Sequence, residues 1–169
     1  MTQLVVVMGV SGAGKSTVGL ALAGLLGVQF VDADSLHPAA NVAKMAAGTP
    51  LTDADRWPWL DLVGQALAGA PDAGLVVACS ALKRSYRDAI RAAAPAAEFV
   101  HLVVPRGVLG DRVANRPGHF MPATLVDSQL VTLEPLDADE PGVVVDSEGG
   151  VEATAQRALA ALGSSSHPA

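Results

Sequence analysis

Apolar residues along this chain fall into short unbroken blocks separated by stretches with a helical spacing. Leu4-Val5-Val6-Val7-Met8, Leu75 to Cys79 and Gly142 to Val145 are continuous, Phe99 to Val103 is interrupted only by His101, and all are rich in β-branched residues. The first predicts a strand covered on both faces, and each of the others predicts a strand. Gln29 to Asp32 predicts one more. From Lys15, the residues Val18, Leu22, Leu25 and Leu26 recur at i, i+4, i+7 and i+8, which predicts a helix that Gly27 stops. Pro38 suits the first turn of a helix through Met45. "AAGTPLTDADRWPW" is a turn-rich link, in which Thr52 or Asp53 can cap a helix running to about Ala68. Lys83 to Ala93, about Gly107 to Asn115, and Ala123 to about Leu130 predict further helices. Val151, Ala155, Ala158, Leu159 and Leu162 make a last helical face.

Strands alternating with helices give an α/β fold, a parallel sheet with helices on both faces. Such sheets bind ligands beyond the carboxyl ends of their strands. The unusual loops of this chain follow strands, so they are expected to meet at one edge. One domain over residues 1–162 is expected, with a lid inserted at about 113–131 and a disordered tail at 163–169.

Composition narrows the picture. Half of the 169 residues are hydrophobic, enough for a sizeable core. The net charge of −6 disfavours non-specific nucleic-acid binding, which runs on basic patches. The one cysteine, Cys79, permits no intrachain disulfide and fits a reducing compartment. Only "MTQ" precedes the first apolar run, with no basic region or cleavage site, and that run is too short to cross a membrane. A soluble cytoplasmic protein is expected.

The chemistry begins at "GVSGAGKST", which fits G-x-x-x-x-G-K-[ST] and sits between a strand and a helix. Backbone amides from Gly9, Val10, Ser11, Gly12, Ala13 and Gly14 through Lys15, Ser16 and Thr17 can wrap phosphates. The following helix adds its positive end. Lys15 reaches the terminal phosphates, and Ser16 offers a hydroxyl to Mg²⁺. The pattern points to a nucleoside triphosphate but not to what receives the phosphate.

"DADSLHP" places Asp32 and Asp34 two apart after the second strand. In an extended loop both carboxylates face one way. Asp32 then suits the water shell of Mg²⁺, and Asp34 suits an acceptor hydroxyl whose proton it takes. The alternative is a solvated acidic turn. His37 either joins the site or only shapes the turn beside Pro38. Arg56 in "DADRWPW" is a site cation or one half of a surface ion pair. Lys83 and Arg87 are four apart at the start of a helix and can clamp an anionic substrate, or form a solvated face. Arg112 and Arg116 run into the break at Gly118 and look like lid arginines aimed at the transferring phosphate. His119 sits in the same lid. No His or Cys spacing suggests zinc, and Cys79 reads as an inert buried thiol.

Taken together, "MGVSGAGKST", "DADSLHP", "NVAKMAAGTPLTDADRWPWL", "CSALKRSYRD", "GHFMP" and "SQLVTLEPLDADE" resemble the gluconokinases of the small P-loop type. The resemblance runs from about Leu4 to Val145. It implies ATP-dependent phosphorylation of D-gluconate at its 6-hydroxyl. It also implies a shikimate kinase-like P-loop fold of five parallel strands in the order 2-3-1-4-5 with a lid, and a homodimer. By position Lys15 matches the phosphate lysine and Asp34 the acceptor-side acid. Arg112 and Arg116 match lid arginines, and Lys83 and Arg87 match the basic pair. Ala33 stands where the family often has glycine. Either the backbone there is ordinary, or alanine is strained by ~1 kcal/mol or more.

Two rival readings share the phosphate loop. A shikimate-type kinase would end its third strand in a glycine run, where this chain has "CSALK". A nucleotide-binding regulator that transfers nothing has no use for Asp34 opposite the loop. The guanine signature N-K-x-D is missing, which favours ATP.

Overall fold

A computed structural model describes residues 2–104 and 123–165, with side chains for 2–104 and 127–165. Five strands, β1 (Gln3–Met8), β2 (Gln29–Asp32), β3 (Gly74–Ala78), β4 (Glu98–Val103) and β5 (Gly142–Asp146), form one sheet in the order β2-β3-β1-β4-β5. Every neighbouring pair is parallel. The helices are α1 (Lys15–Leu26), α2 (Ala39–Ala46), α3 (Asp53–Ala68), α4 (Arg84–Ala93), α5 (Ala123–Thr132) and α6 (Val151–Ser165). This is the doubly covered sheet and the strand order that were expected.

The continuous apolar runs have a simple cause. Val5 and Val7 of β1 pack with Val18, Leu22, Ala155, Ala158 and Leu162 on the α1 and α6 side. Val6 and Met8, the alternate residues, pack with Trp59, Leu60, Val63, Tyr86 and Ile90 on the α3 and α4 side. A strand with a core on each face has no position to spare for a polar residue.

Helix ends follow local chemistry. Gly27 closes α1 in the left-handed region at φ 70°, as its place in the pattern predicted. Leu25 does not join the core; it is 39% exposed, and the buried stripe is Val18, Gly19, Leu22 and Ala23. Helix α3 takes in all of "DADRWPW", including Pro58. It holds because Thr52 forms a reciprocal cap. Thr52 Oγ1 accepts from the Asp55 amide at 3.2 Å, and Asp55 Oδ2 accepts from the Thr52 amide at 2.9 Å. Lys44 adds an ion pair to Asp55 at 2.8 Å. These bonds, led by the one from Lys44, lower the Asp55 pKa to about 2. A carboxylate depressed in this way stabilises the fold above its unfolded pKa near 4, and that contribution fades as the pH falls toward 2. Thr52→Ala is expected to cost ~1 kcal/mol in urea unfolding at neutral pH.

Helix α6 continues to Ser165, three residues into the segment expected to be a disordered tail. The expected helix from Gly107 to Asn115, most of the lid, and residues 166–169 lie outside the described residues.

Candidate active site

The phosphate loop leaves β1 and turns sharply into α1. Gly12 (φ 83°) and Gly14 (φ 91°) take left-handed backbone that side chains resist. Gly14 is also the N-cap residue of α1, so the loop's amides and the helix's positive end address one space. Lys15 Nζ donates to the Val10 carbonyl at 3.0 Å, folding back over the loop.

That space is a cavity of about 440 Å³. Residues from Ser11 to Val18 line one side, Asp32 and Asp34 another, and Cys79 and Ser80 the end of β3. Ser147, Gly150, Val151 and Thr154 close it from β5 and α6. These four were not anticipated. The pair of glycines in "DSEGG" after the last strand is the signal that could have found them, since both take positive φ.

Both acids of "DADSLHP" line the cavity, by a route other than alternation along an extended loop. A 3₁₀ turn spans Ala33–Leu36, and Asp32 caps it by accepting from the Asp34 amide at 3.0 Å. The other oxygen of Asp32 accepts from Ser16 Oγ at 2.5 Å. Ala33 lies in this turn with an ordinary backbone, since Ala81 is the one non-glycine residue with positive φ among those described. The Ala33 methyl is fully buried, and its carbonyl accepts from Trp59 Nε1 at 2.8 Å.

Trp59 carries the wall onward. His37 stacks on it with ring centroids 4.2 Å apart. Asn41 Nδ2 lies 3.3 Å from His37 Nδ1, within hydrogen-bond distance. Burial pushes the His37 pKa down; Asp34 raises it and Arg56 lowers it further. His37 thus feels opposing influences from a carboxylate and a guanidinium, with burial the largest.

Beyond it four polar groups converge. Asp53 accepts from Tyr86 Oη at 2.5 Å and from Lys83 Nζ at 3.3 Å, with Arg56 Nη1 3.7 Å away. The Tyr86 hydrogen bond, then Lys83, hold Asp53 below the usual carboxylate range despite some opposing burial. The Asp53 hydrogen bond in turn raises Lys83. Lys83 and Arg56 also sit over the Tyr86 ring, at 5.4 and 5.7 Å. Neither Asp53 nor Tyr86 was expected in the site.

Arg87 requires a correction. It does not share a surface with Lys83, which is the N-cap residue of α4 rather than part of the helix. The Arg87 side chain is fully buried and forms a forked pair with Glu140, at 2.6 and 2.9 Å. It also donates to the carbonyls of Ala81 (2.9 Å), Leu82 and Pro135. With its donors so engaged in the interior, it is a structural residue and not a substrate contact. Burial alone would raise the Glu140 pKa, but the bonds from Arg87 and the Asp137 amide outweigh it and lower the pKa.

Cys79 is buried and its thiol pKa is pushed up to about 12 by burial, so it is inert, as read from the sequence. Arg112, Arg116 and His119 lie outside the described residues. No group of three or more His, Cys, Asp or Glu suited to a metal occurs among the described residues.

A family model described as an AAA domain matches residues 4–136. The gluconokinase of Gluconobacter oxydans is 53% identical over 148 residues, covering 86% of this chain and 83% of that protein. A crystal structure of a gluconokinase from Sinorhizobium meliloti superposes with a TM-score of 0.86 at 48% identity, covering 96% of this chain and 92% of the other. An unliganded sugar kinase from a Janibacter species superposes at 0.88 with 46% identity, covering 96% and 95%. A phosphate loop, an acidic turn facing it and a cationic wall beyond, together with this likeness over nearly the whole length, make one conclusion: the chain belongs to the gluconokinase family of P-loop kinases.

Proposed function

We propose that this protein transfers the terminal phosphoryl group of ATP to the 6-hydroxyl of D-gluconate, giving 6-phospho-D-gluconate and ADP. The observation that carries this reading is the cavity that brings Lys15 and Ser16 against Asp34. Beside the turn that carries Asp34, Trp59 bonds the Ala33 carbonyl and stacks on His37, and on the same α3 and α4 side Arg56 and Lys83 gather at Asp53. A hydroxylated carboxylate can span such a wall, with its hydroxyl at Asp34 and its carboxylate at Lys83 and Arg56.

The amides of residues 12–17 and Lys15 hold the phosphates, the Ser11 amide being taken by Gln129. The hydroxyl of Ser16 and the carboxylate of Asp32 are hard oxygen donors side by side, which suits Mg²⁺ with phosphates and water completing its shell. When bound, Mg²⁺ neutralises charge on the phosphates. Asp34 orients the acceptor hydroxyl and takes its proton. The oxygen bonds to phosphorus as the bond to ADP breaks. Arg112, Arg116 and His119, outside the described residues, are assigned to stabilise the charge on the transferring phosphoryl group, a role supported by the family resemblance. The same resemblance supports a homodimer. The cytoplasmic setting is supported by the lone buried thiol and by the described residues, which contain no helix long and apolar enough to cross a membrane.

The test is ADP release with gluconate, other aldonates, shikimate or no acceptor. Gluconate is expected to stimulate most; stimulation by shikimate instead, or by nothing, overturns the reading. Lys83→Ala is expected to raise KM for gluconate about tenfold, the worth of one charge-assisted hydrogen bond, with KM for ATP unchanged. An unaltered gluconate KM removes Lys83 from the site.

A further inference from the structure

The segment "SQLVTLEPLDADE" lies outside the chemistry so far, yet it touches both halves of the site. Gln129 Oε1, on α5, accepts from the Ser11 amide of the phosphate loop at 2.5 Å, across 118 positions of sequence. The chain leaving α5 is then pinned to the turn that carries Lys83. The Glu134 amide donates to the Leu82 carbonyl at 2.7 Å, and the Arg84 amide donates back to Glu134 Oε1 at 3.1 Å. Arg84 pairs with Asp137 and Asp139 at 2.9 and 2.7 Å. Arg87 pairs with Glu140 while holding the Ala81 and Leu82 carbonyls. Residues 129–140 are therefore a strap, fastened at one end to the phosphate loop and at the other to the acceptor-side turn.

We infer that Gln129 is a positioning residue that fixes the distance between the phosphoryl donor and the acceptor hydroxyl. The inference rests on the reading of the cavity as a gluconate kinase site. Glutamine suits this position because its carbonyl accepts from the loop amide without a charge. A carboxylate there would repel incoming phosphates, and an apolar side chain would leave the amide without that acceptor. The base of the loop is joined to the end of β3 by Gly9 N donating to the Ser80 carbonyl at 3.3 Å, and Ser16 is joined to Asp32. The Gln129 bond ties the loop's tip to the strap that holds the Lys83 turn, so its loss frees the tip relative to that turn. A misplacement of about 1 Å costs a transfer reaction about 10²-fold.

The test uses Gln129→Met, which keeps the side chain's length, and Gln129→Ala. Transfer to gluconate is expected to lose about 10- to 100-fold in kcat, with KM for ATP and for gluconate within about threefold of the parent. Hydrolysis of ATP without acceptor is expected to be unchanged, because water needs no alignment with the acceptor wall. Thermal unfolding reports the folded fraction, and Gln129→Met supplies the result should Gln129→Ala not fold. A transfer rate within about threefold of the parent overturns the inference. So does a parallel loss of transfer and hydrolysis, or a loss accounted for by the unfolded fraction. A parent enzyme that ignores gluconate instead overturns the functional reading on which the inference rests.

Discussion

Asp34→Asn is expected to lower kcat for gluconate by about 10²- to 10⁴-fold while leaving KM for ATP near its original value. The effect is large because asparagine cannot take the acceptor's proton. The substitution is also clean. The turn is held by the amide of Asp34 donating to Asp32 Oδ1, and by Trp59 bonding the Ala33 carbonyl. Neither bond uses the Asp34 carboxylate, so asparagine inherits the same backbone. Steady-state kinetics with gluconate as the varied substrate, alongside thermal unfolding, check this. Turnover within about threefold of the parent removes Asp34 as the proton acceptor.

The second large effect is on stability. Glu140→Ala is expected to cost about 3–5 kcal/mol, because it strands the buried Arg87 guanidinium without its counter-charge. The pair is almost fully excluded from solvent, with side chains 0% and 1% exposed. Urea unfolding at pH 7 measures the loss. Replacing both residues, as Arg87→Met with Glu140→Leu, removes both charges at once and is expected to recover most of the stability. It is not expected to recover activity. Arg87 also holds the Ala81 carbonyl, and Ala81 sits at φ 44°, in backbone that alanine adopts only under constraint. With the clamp gone that turn relaxes, and Lys83, two residues on, moves with it. A double variant that is as active as the parent would show that the clamp does not position Lys83.

What the sequence made readable, and what it hid, divides on physical lines. The strands were legible because buried strands are built mostly from apolar residues, His101 of β4 being a buried polar exception, and the phosphate loop because its geometry needs glycines at fixed offsets. Gly27 was legible for the same reason. Arg87 was misread because its partner, Glu140, is 53 positions away. Spacing along a helix shows which residues share a face, but not whether that face meets water or a carboxylate from elsewhere in the chain. Lys83 and Arg87 are four apart, yet one begins the helix and the other enters the core. Asp53 and Tyr86 escaped notice similarly, since their junction joins the start of α3 to α4. Leu25 matched the helical period, but the stripe that the sheet covers is narrower than the apolar residues available.

The cavity's lining comes from both ends of the chain, Ser11 to Val18 and then Ser147 to Thr154. During synthesis the phosphate loop emerges early, but the far side of its pocket does not exist until β5 has been translated and has docked on β4. ATP therefore meets an incomplete pocket on the growing chain and stabilises it less by binding than it does the finished fold. The chain through β4 must wait with an incomplete sheet whose β4 edge is open, the interval in which it is most exposed to pairing with other chains.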